Sequence, residues 1–231
     1  MSKIAIIGSG NIGGALTRLF KHAGHEVTVA NSRGPASLVD LARETGARAA
    51  TVAEAISDHE IVVVAVPMAR VGELAAQFRA APAQQIVIDT SNYYPQQRDG
   101  LIAEVEAGMT ESAWVASQLG RPVIKVFNSI RAEHLLGKSR PGTATGRVAL
   151  AVAGDDVQAK ATVMRLVEEI GFDAVDGGTI AQSWRQQPGS PGYLADDDAA
   201  GVGRALSGAS EARTPAWRAT QNSPGTFESP A

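Results

Sequence analysis

Gly8-Ser9-Gly10-Asn11-Ile12-Gly13 is a cluster whose residue types and spacing point to a definite chemistry. It follows an apolar run that begins at Lys3, opens an amphipathic stretch and precedes a second apolar run. That is the setting in which a Gly-x-Gly-x-x-Gly loop holds a dinucleotide. Gly8 would permit the tight turn, and Gly10 would let the backbone approach a pyrophosphate. Gly13 would let the following helix pack closely on a sheet. The helix starting there offers unpaired N–H groups and a positive dipole end to the phosphates.

The next strand end bears on which dinucleotide. A site for NAD places Asp or Glu about 20 residues on, where it binds the ribose 2′-hydroxyl. Here Val29-Ala30-Asn31-Ser32-Arg33 holds no carboxylate. Ser32 can hydrogen-bond a 2′-phosphate, while Arg33 can pair with it and stack on adenine. The expected cofactor is NADP(H), with Asn31, Ser32 and Arg33 as its adenosine-side residues. At the end of the run Ile61–Val66, the residues Ala65, Val66 and Pro67 would line the ribose–nicotinamide channel, since ligands sit beyond the C-terminal strand ends.

These motifs need a scaffold, and the sequence alternates in the manner of one. Apolar runs recur at Lys3–Ile7, Glu26–Ala30, Ile61–Val66, Ile86–Asp89, Val123–Phe127 and Val148–Ala153, suited to strands covered on both faces. Between them lie helical stripes, including Ile12, Ala15, Leu16, Leu19 and Phe20, then Val71, Leu74, Ala75 and Phe78. A third stripe runs from Asp155 to Ile170, with Asp155 or Asp156 as N-cap and Gly171 as stop. The pattern predicts an α/β fold, a doubly wound and mostly parallel sheet. The cofactor-binding domain is expected over 1–176. A loop-rich C-terminal segment follows over 177–231, with a short helix near Gly201–Leu206 and disorder in the last fifteen or so residues.

Composition narrows the class. The 231 residues are 44% hydrophobic and 19% charged, enough for a sizeable core. Zero cysteines exclude disulfides, thiolate metal sites and cysteine nucleophiles. A net charge of −3 without a basic run argues against nucleic acid as a partner. No apolar stretch is long enough for a membrane span, so a cytoplasmic protein without membrane partners is expected.

Together, the Gly8–Gly13 loop, Asn31-Ser32-Arg33, Val66-Pro67 and Lys125-Val126-Phe127-Asn128-Ser129-Ile130 resemble the coenzyme F420-dependent NADP oxidoreductase family, over roughly residues 1–176. Metalloreductases and pyrroline-carboxylate reductases are relatives of that family. The resemblance implies a single Rossmann domain binding NADP, with a deazaflavin coenzyme held against the nicotinamide, and a homodimer. It implies that Ser9, Gly10, Asn11 and Ile12 contact pyrophosphate, that Ser32 and Arg33 contact the 2′-phosphate, and that Ala132 lies near the nicotinamide. The chain departs from the deazaflavin enzymes, which usually carry His, at Asn128. It also departs in the segment Ser183-Trp184-Arg185-Gln186-Gln187-Pro188-Gly189.

Hydride transfer between two ring cofactors asks the protein mainly to hold them close in a dry cleft. In keeping with that, no acid–base constellation stands out, and no catalytic residue is assigned. His22, His25 and His59 read as surface or turn residues, and His134 as a helix-face residue. Asn128 could hold the nicotinamide carboxamide or the acceptor, or could cap backbone. Trp184 could stack on an acceptor ring with Arg185 on an anionic tail, or could simply anchor an irregular segment. Tyr93 and Tyr94 carry the same ambiguity. Asp196-Asp197-Asp198 reads as a solvated helix start, and no metal site is expected. The expected function is NADPH-dependent hydride transfer to an F420-type deazaflavin. The alternatives are reduction of a small imine, carbonyl or metal chelate, and an NADP(H)-binding sensor without turnover.

Overall fold

Alternate residues of the first strand enter opposite apolar layers. Ile4 and Ile6 pack in one, Ala5 and Ile7 in the other, so this run is apolar throughout because both of its faces are covered. The computed structural model describes residues 1–212 and 225–231. Its strands are β1 (Lys3–Ile7), β2 (Glu26–Ala30), β3 (Arg48–Ala49), β4 (Ile61–Val64), β5 (Ile86–Asp89), β6 (Ile124–Lys125), β7 (Ala149–Ala153) and β8 (Asp173–Gly178). Its helices are α1 (Asn11–His22), α2 (Val39–Thr45), α3 (Val52–Ser57), α4 (Ala75–Ala80), α5 (Ala103–Glu106), α6 (Glu111–Leu119), α7 (Ala132–Gly137), α8 (Val157–Glu169) and α9 (Ala199–Ser207).

The strands form one sheet in the order β3-β2-β1-β4-β5-β6-β7-β8. All pairings are parallel except the single β6–β7 bridge at Lys125 and Ala153. This is the α/β, doubly wound, Rossmann-type sheet that the alternation predicted. Strand order reverses between β1 and β4, and a crevice opens at the C-terminal ends of those strands. Leu16 and Phe20 of α1 join one layer with Val163 and Val167 of α8. Phe78 of α4 and Trp114 of α6 join the other. No helix among the described residues is long and apolar enough to cross a membrane.

Several expectations change. Strands β3 and β8 add to the six apolar runs. The first is two residues long, and the second is a half-exposed edge whose Asp-Ala-Val-Asp-Gly-Gly reads as a turn. The fifth run shortens to Ile124–Lys125, because Phe127 takes φ +65 and swings the chain out of the sheet. His25 and His59 are buried rather than on the surface. His25 faces Glu169, and His59 bridges Ala55 O and Thr28 Oγ1. Asp156 is the N-cap of α8, accepting from Gln158 N and Ala159 N. Beyond β8, a 3-10 helix (Ile180–Gln186) leads toward α9, whose Val202 and Leu206 pack on Ala149 and Ala151 of β7. The expected disorder of the last fifteen or so residues falls in part on 213–224, which lie outside the described residues.

Polar groups are buried beneath the end of β5. Asp89 accepts from Ser112 Oγ at 2.6 Å and from Ser91 N at 2.8 Å. Lys125 Nζ donates to Glu111 Oε2 at 3.1 Å and to Ser91 O at 3.0 Å, with both side chains fully buried. Glu111 Oε1 also accepts from Tyr93 N at 3.1 Å. Burial pushes the Glu111 carboxyl up, against the pull of Lys125. This network fixes the segment that follows β5. Lys125→Met should therefore cost about 3–5 kcal/mol by urea denaturation, because it leaves Glu111 buried and unpaired. A further-raised Glu111 folds as the neutral acid, so the deficit should shrink as pH falls. Adding Glu111→Gln should recover part of the loss. A variant as stable as the parent would contradict this role for the pair.

Candidate functional site

Gly8 closes the turn from β1 into α1 with φ +112, and its N–H donates to Ala30 O at 2.8 Å. A Cβ there would stand 2.2 Å from Ala65 O, and a Cβ on Gly13 would stand 1.9 Å from Gly8 O. These two glycines therefore let β1, β4 and α1 meet backbone to backbone. Gly10 differs: it is the N-cap of α1, and a Cβ built on it meets nothing within 4 Å. No side chain caps this helix, and its first turn carries no acidic residue. The first-turn N–H groups are left for a ligand.

Ser9, Gly10, Asn11 and Ile12 line a cleft of about 920 Å³ that runs along the C-terminal strand ends. Arg33, Val66, Asn128 and Ala132 line it too. Gly8, Asn31, Ser32, Ala65 and Pro67 do not line it. Asn31 is buried and acts as a knot. Its Nδ2 donates to Ser9 Oγ at 2.9 Å and to Ser37 Oγ at 3.0 Å, while its Oδ1 accepts from Arg33 N at 2.9 Å. It thus ties the glycine loop to the turn that carries Arg33. Ser32 is exposed beside that turn. Arg18 also lines the cleft but pairs with Glu44. The guanidinium of Arg33 has no partner among the described residues.

At the far end of the cleft lie Thr90-Ser91-Asn92, Asn128 and Ala132. The amide of Asn128 is already engaged: Nδ2 donates to Gln186 O at 2.7 Å and to Asn92 Oδ1 at 3.1 Å, while Oδ1 accepts from Gln186 Nε2 at 3.1 Å. Asn128 therefore binds the cleft floor to the Gln186 segment, the backbone-tying alternative. Tyr93 and Tyr94 separate. Tyr93 is a core residue whose hydroxyl accepts from Ile102 N, its ionisation pushed up to about 12 by burial. Tyr94 lines the cleft, its hydroxyl against that of Tyr193 and its ring 5.1 Å from the Arg98 guanidinium.

Other candidates sit elsewhere. Trp184 borders a separate cavity of about 250 Å³ with Thr110 and Pro188, and Arg185 Nη2 donates to Gly177 O at 2.8 Å. Neither reaches the main cleft. Asp196 pairs with His134 and Lys138, and Asp198 caps α9 through Gly201 N. Sequence reading missed Ser37, Arg131 and Tyr193. Tyr193 lies in a Gly- and Pro-rich stretch where no periodicity marks a wall residue, and Ser37 is visible only through its bonds to Asn31.

Residues 3–93 match the family described as NADP oxidoreductase, coenzyme F420-dependent. Hypothetical protein SMa0349 of Sinorhizobium meliloti superposes with a TM-score of 0.73 at 32% identity, over 85% of this chain and 95% of that one. A protein of Arthrobacter sp. FB24 described as a putative F420-dependent NADP-reductase gives 0.65 at 25%, over 79% and 87%. The metalloreductase STEAP3 of Rattus norvegicus is 28% identical over 182 residues, 78% of this chain and 35% of its own length. The alignments with curated relatives span less than half the length of those relatives.

The open cradle at Gly10 and the unpartnered Arg33 suit a dinucleotide diphosphate with a 2′-phosphate. Losing a charge-assisted contact costs about 1.5–3 kcal/mol. Arg33→Ala should thus weaken NADPH about tenfold to a hundredfold and spare NADH, as read by nicotinamide fluorescence titration. Equal loss for both would contradict a 2′-phosphate contact.

Proposed function

The chain belongs to the coenzyme F420-dependent NADP oxidoreductase family, and from this premise we propose that it is an NADPH-dependent oxidoreductase passing a hydride to a deazaflavin of the F420 type. The observation that carries the reading is one continuous cleft, from Arg33 at the adenosine end, past the bare N-terminus of α1, to Asn128 and Ala132. When bound, the nicotinamide supplies the hydride. The chain's own residues bind and orient. Ser9, Gly10, Asn11 and Ile12 offer N–H groups and the helix dipole to the pyrophosphate. Asn31 holds Arg33 and Ser9 in register, with Ser32 beside them. Val66 and Ala132 form small walls that allow two rings to approach, with Ala65 and Pro67 shaping the turn behind Val66.

The deazaflavin assignment draws on the family and on the Arthrobacter neighbour. One feature favours a second reading. Trp184 and Arg185, which could have held a deazaflavin ring and tail, lie outside the cleft. That suits a smaller imine or carbonyl acceptor, and the STEAP3 match adds a metal chelate to the choices. A homodimer in the cytoplasm completes the proposal. Leu136, 46% exposed at the cleft, would gain cover from a second copy.

Mixing the protein with NADPH and oxidised coenzyme F420 should bleach the visible absorbance of the deazaflavin, with NADH much slower. No bleaching with tight NADPH binding would turn the assignment to the smaller acceptors. Binding without turnover of any acceptor would leave a sensor.

A further inference from the structure

Tyr94 and Tyr193 meet hydroxyl to hydroxyl at the acceptor end of the cleft, and the binding roles above use neither. They come from distant parts of the chain, and each is fixed. Tyr94 N donates to Asp99 Oδ2 at 2.8 Å, and its ring faces Arg98, which is itself held by Asp99 and by Asn92 O. Tyr193 precedes Leu194, whose φ of +58 is a left-handed conformation that a leucine rarely adopts. Leu194 N–H donates to Ser129 O at 3.0 Å and keeps that turn in place. Strain retained beside a cleft is a mark of function.

Two hydroxyls carry two hydrogens, and one is used between them. Either hydroxyl can donate in that contact; when Tyr193 donates, the hydrogen of Tyr94 is left for a third partner in the cleft. We infer that Tyr94 is the proton donor to the hydride acceptor, and that Tyr193 is the positioning residue that donates to it. This inference rests on the proposed hydride transfer and adds a requirement on the acceptor. The acceptor must be an unsaturated group that takes a hydride on carbon and a proton on nitrogen or oxygen.

The step balances. Acceptor, NADPH and one proton give reduced acceptor and NADP⁺. A C–H bond forms with the electron pair of the dihydronicotinamide, and the Tyr94 O–H bond breaks as an N–H or O–H bond forms. Tyr94 regains its proton through Tyr193 from water. Outer-sphere reduction of a metal chelate needs no such donor.

Burial raises the ionisation of both tyrosines, keeping the donor protonated through neutral pH, and the charged groups facing the pair are Arg98, Arg131 and Glu111. Tyr193 and Arg98 pull the Tyr94 ionisation partly back, whereas contact with Tyr94 pushes that of Tyr193 further up.

The test compares Tyr94→Phe and Tyr193→Phe in the full chain, with NADPH and either oxidised F420 or pyrroline as acceptor. Tyr94→Phe should lower kcat about a hundredfold or more and leave NADPH affinity unchanged. Tyr193→Phe should lower kcat less, without raising KM. The alkaline fall of kcat, as Tyr94 loses its proton, should vanish in Tyr94→Phe. A second readout needs no turnover. The chain has 3 tyrosines, so tyrosinate absorbance reports on few groups. Tyr193→Phe should move the Tyr94 ionisation to higher pH, and Tyr94→Phe should move that of Tyr193 down. Full kcat in Tyr94→Phe on whichever probe the parent reduces, or ionisation shifts of opposite sign, would overturn the assignment while hydride transfer stands. A parent that binds NADPH but is inert toward both probes would overturn the donor and leave the metal chelate or the sensor as the reading of the cleft.

Discussion

At the Gly8 carbonyl, the start of α1, the end of β1 and the end of β4 come into backbone contact. Side chains at Gly8 and Gly13 are excluded by Ala65 O and by Gly8 O itself, so the glycines are required by approach distance as much as by turn geometry. Because α1 is drawn onto the sheet here, its bare N-terminus opens at the point where strand order reverses. The walls at the adenosine end of the cleft take their place from this contact. Asn31 hangs Arg33 on one side of it, and Val66 leaves β4 on the other.

The acceptor end is built on different physics. Where the adenosine end is made of backbone contacts and one buried amide, the floor beyond β5 rests on buried charge. Lys125, Glu111 and Asp89 hold Ser91 and Tyr93 through direct bonds, and Asn128 stitches Asn92 to Gln186. Buried ion pairs are poor sources of stability but costly to break from one side. Their presence here places a fully buried polar framework under the end where an acceptor would lie.

How much of this was legible in the sequence follows from the range of the interactions. The Gly8–Gly13 loop, β1 and α1 are specified within twenty residues, and apolar period and glycine spacing report them well. Arg33 beyond β2 is equally local. The acceptor wall is not. Tyr193 meets Tyr94 across 99 positions, and Gln186 meets Asn128 across 58, so no window of sequence brings them together. Trp184 stayed ambiguous for a related reason: an aromatic in an irregular segment advertises contact area, and only the 3-10 helix at Ile180–Gln186 decides which cavity receives it. His25 and His59 were hidden because polar residues bury wherever partners exist, and Glu169 and Thr28 lie far along the chain.

The central claim is that the space over Gly10 is reserved for a dinucleotide pyrophosphate. Gly10→Val tests it directly, because a Cβ at that position meets no protein atom within 4 Å and φ −72 suits any residue. The variant should melt at the parent temperature without ligand, and should lose the stabilisation that NADPH gives the parent. A Gly10→Val protein that still binds NADPH with parent affinity would contradict the account.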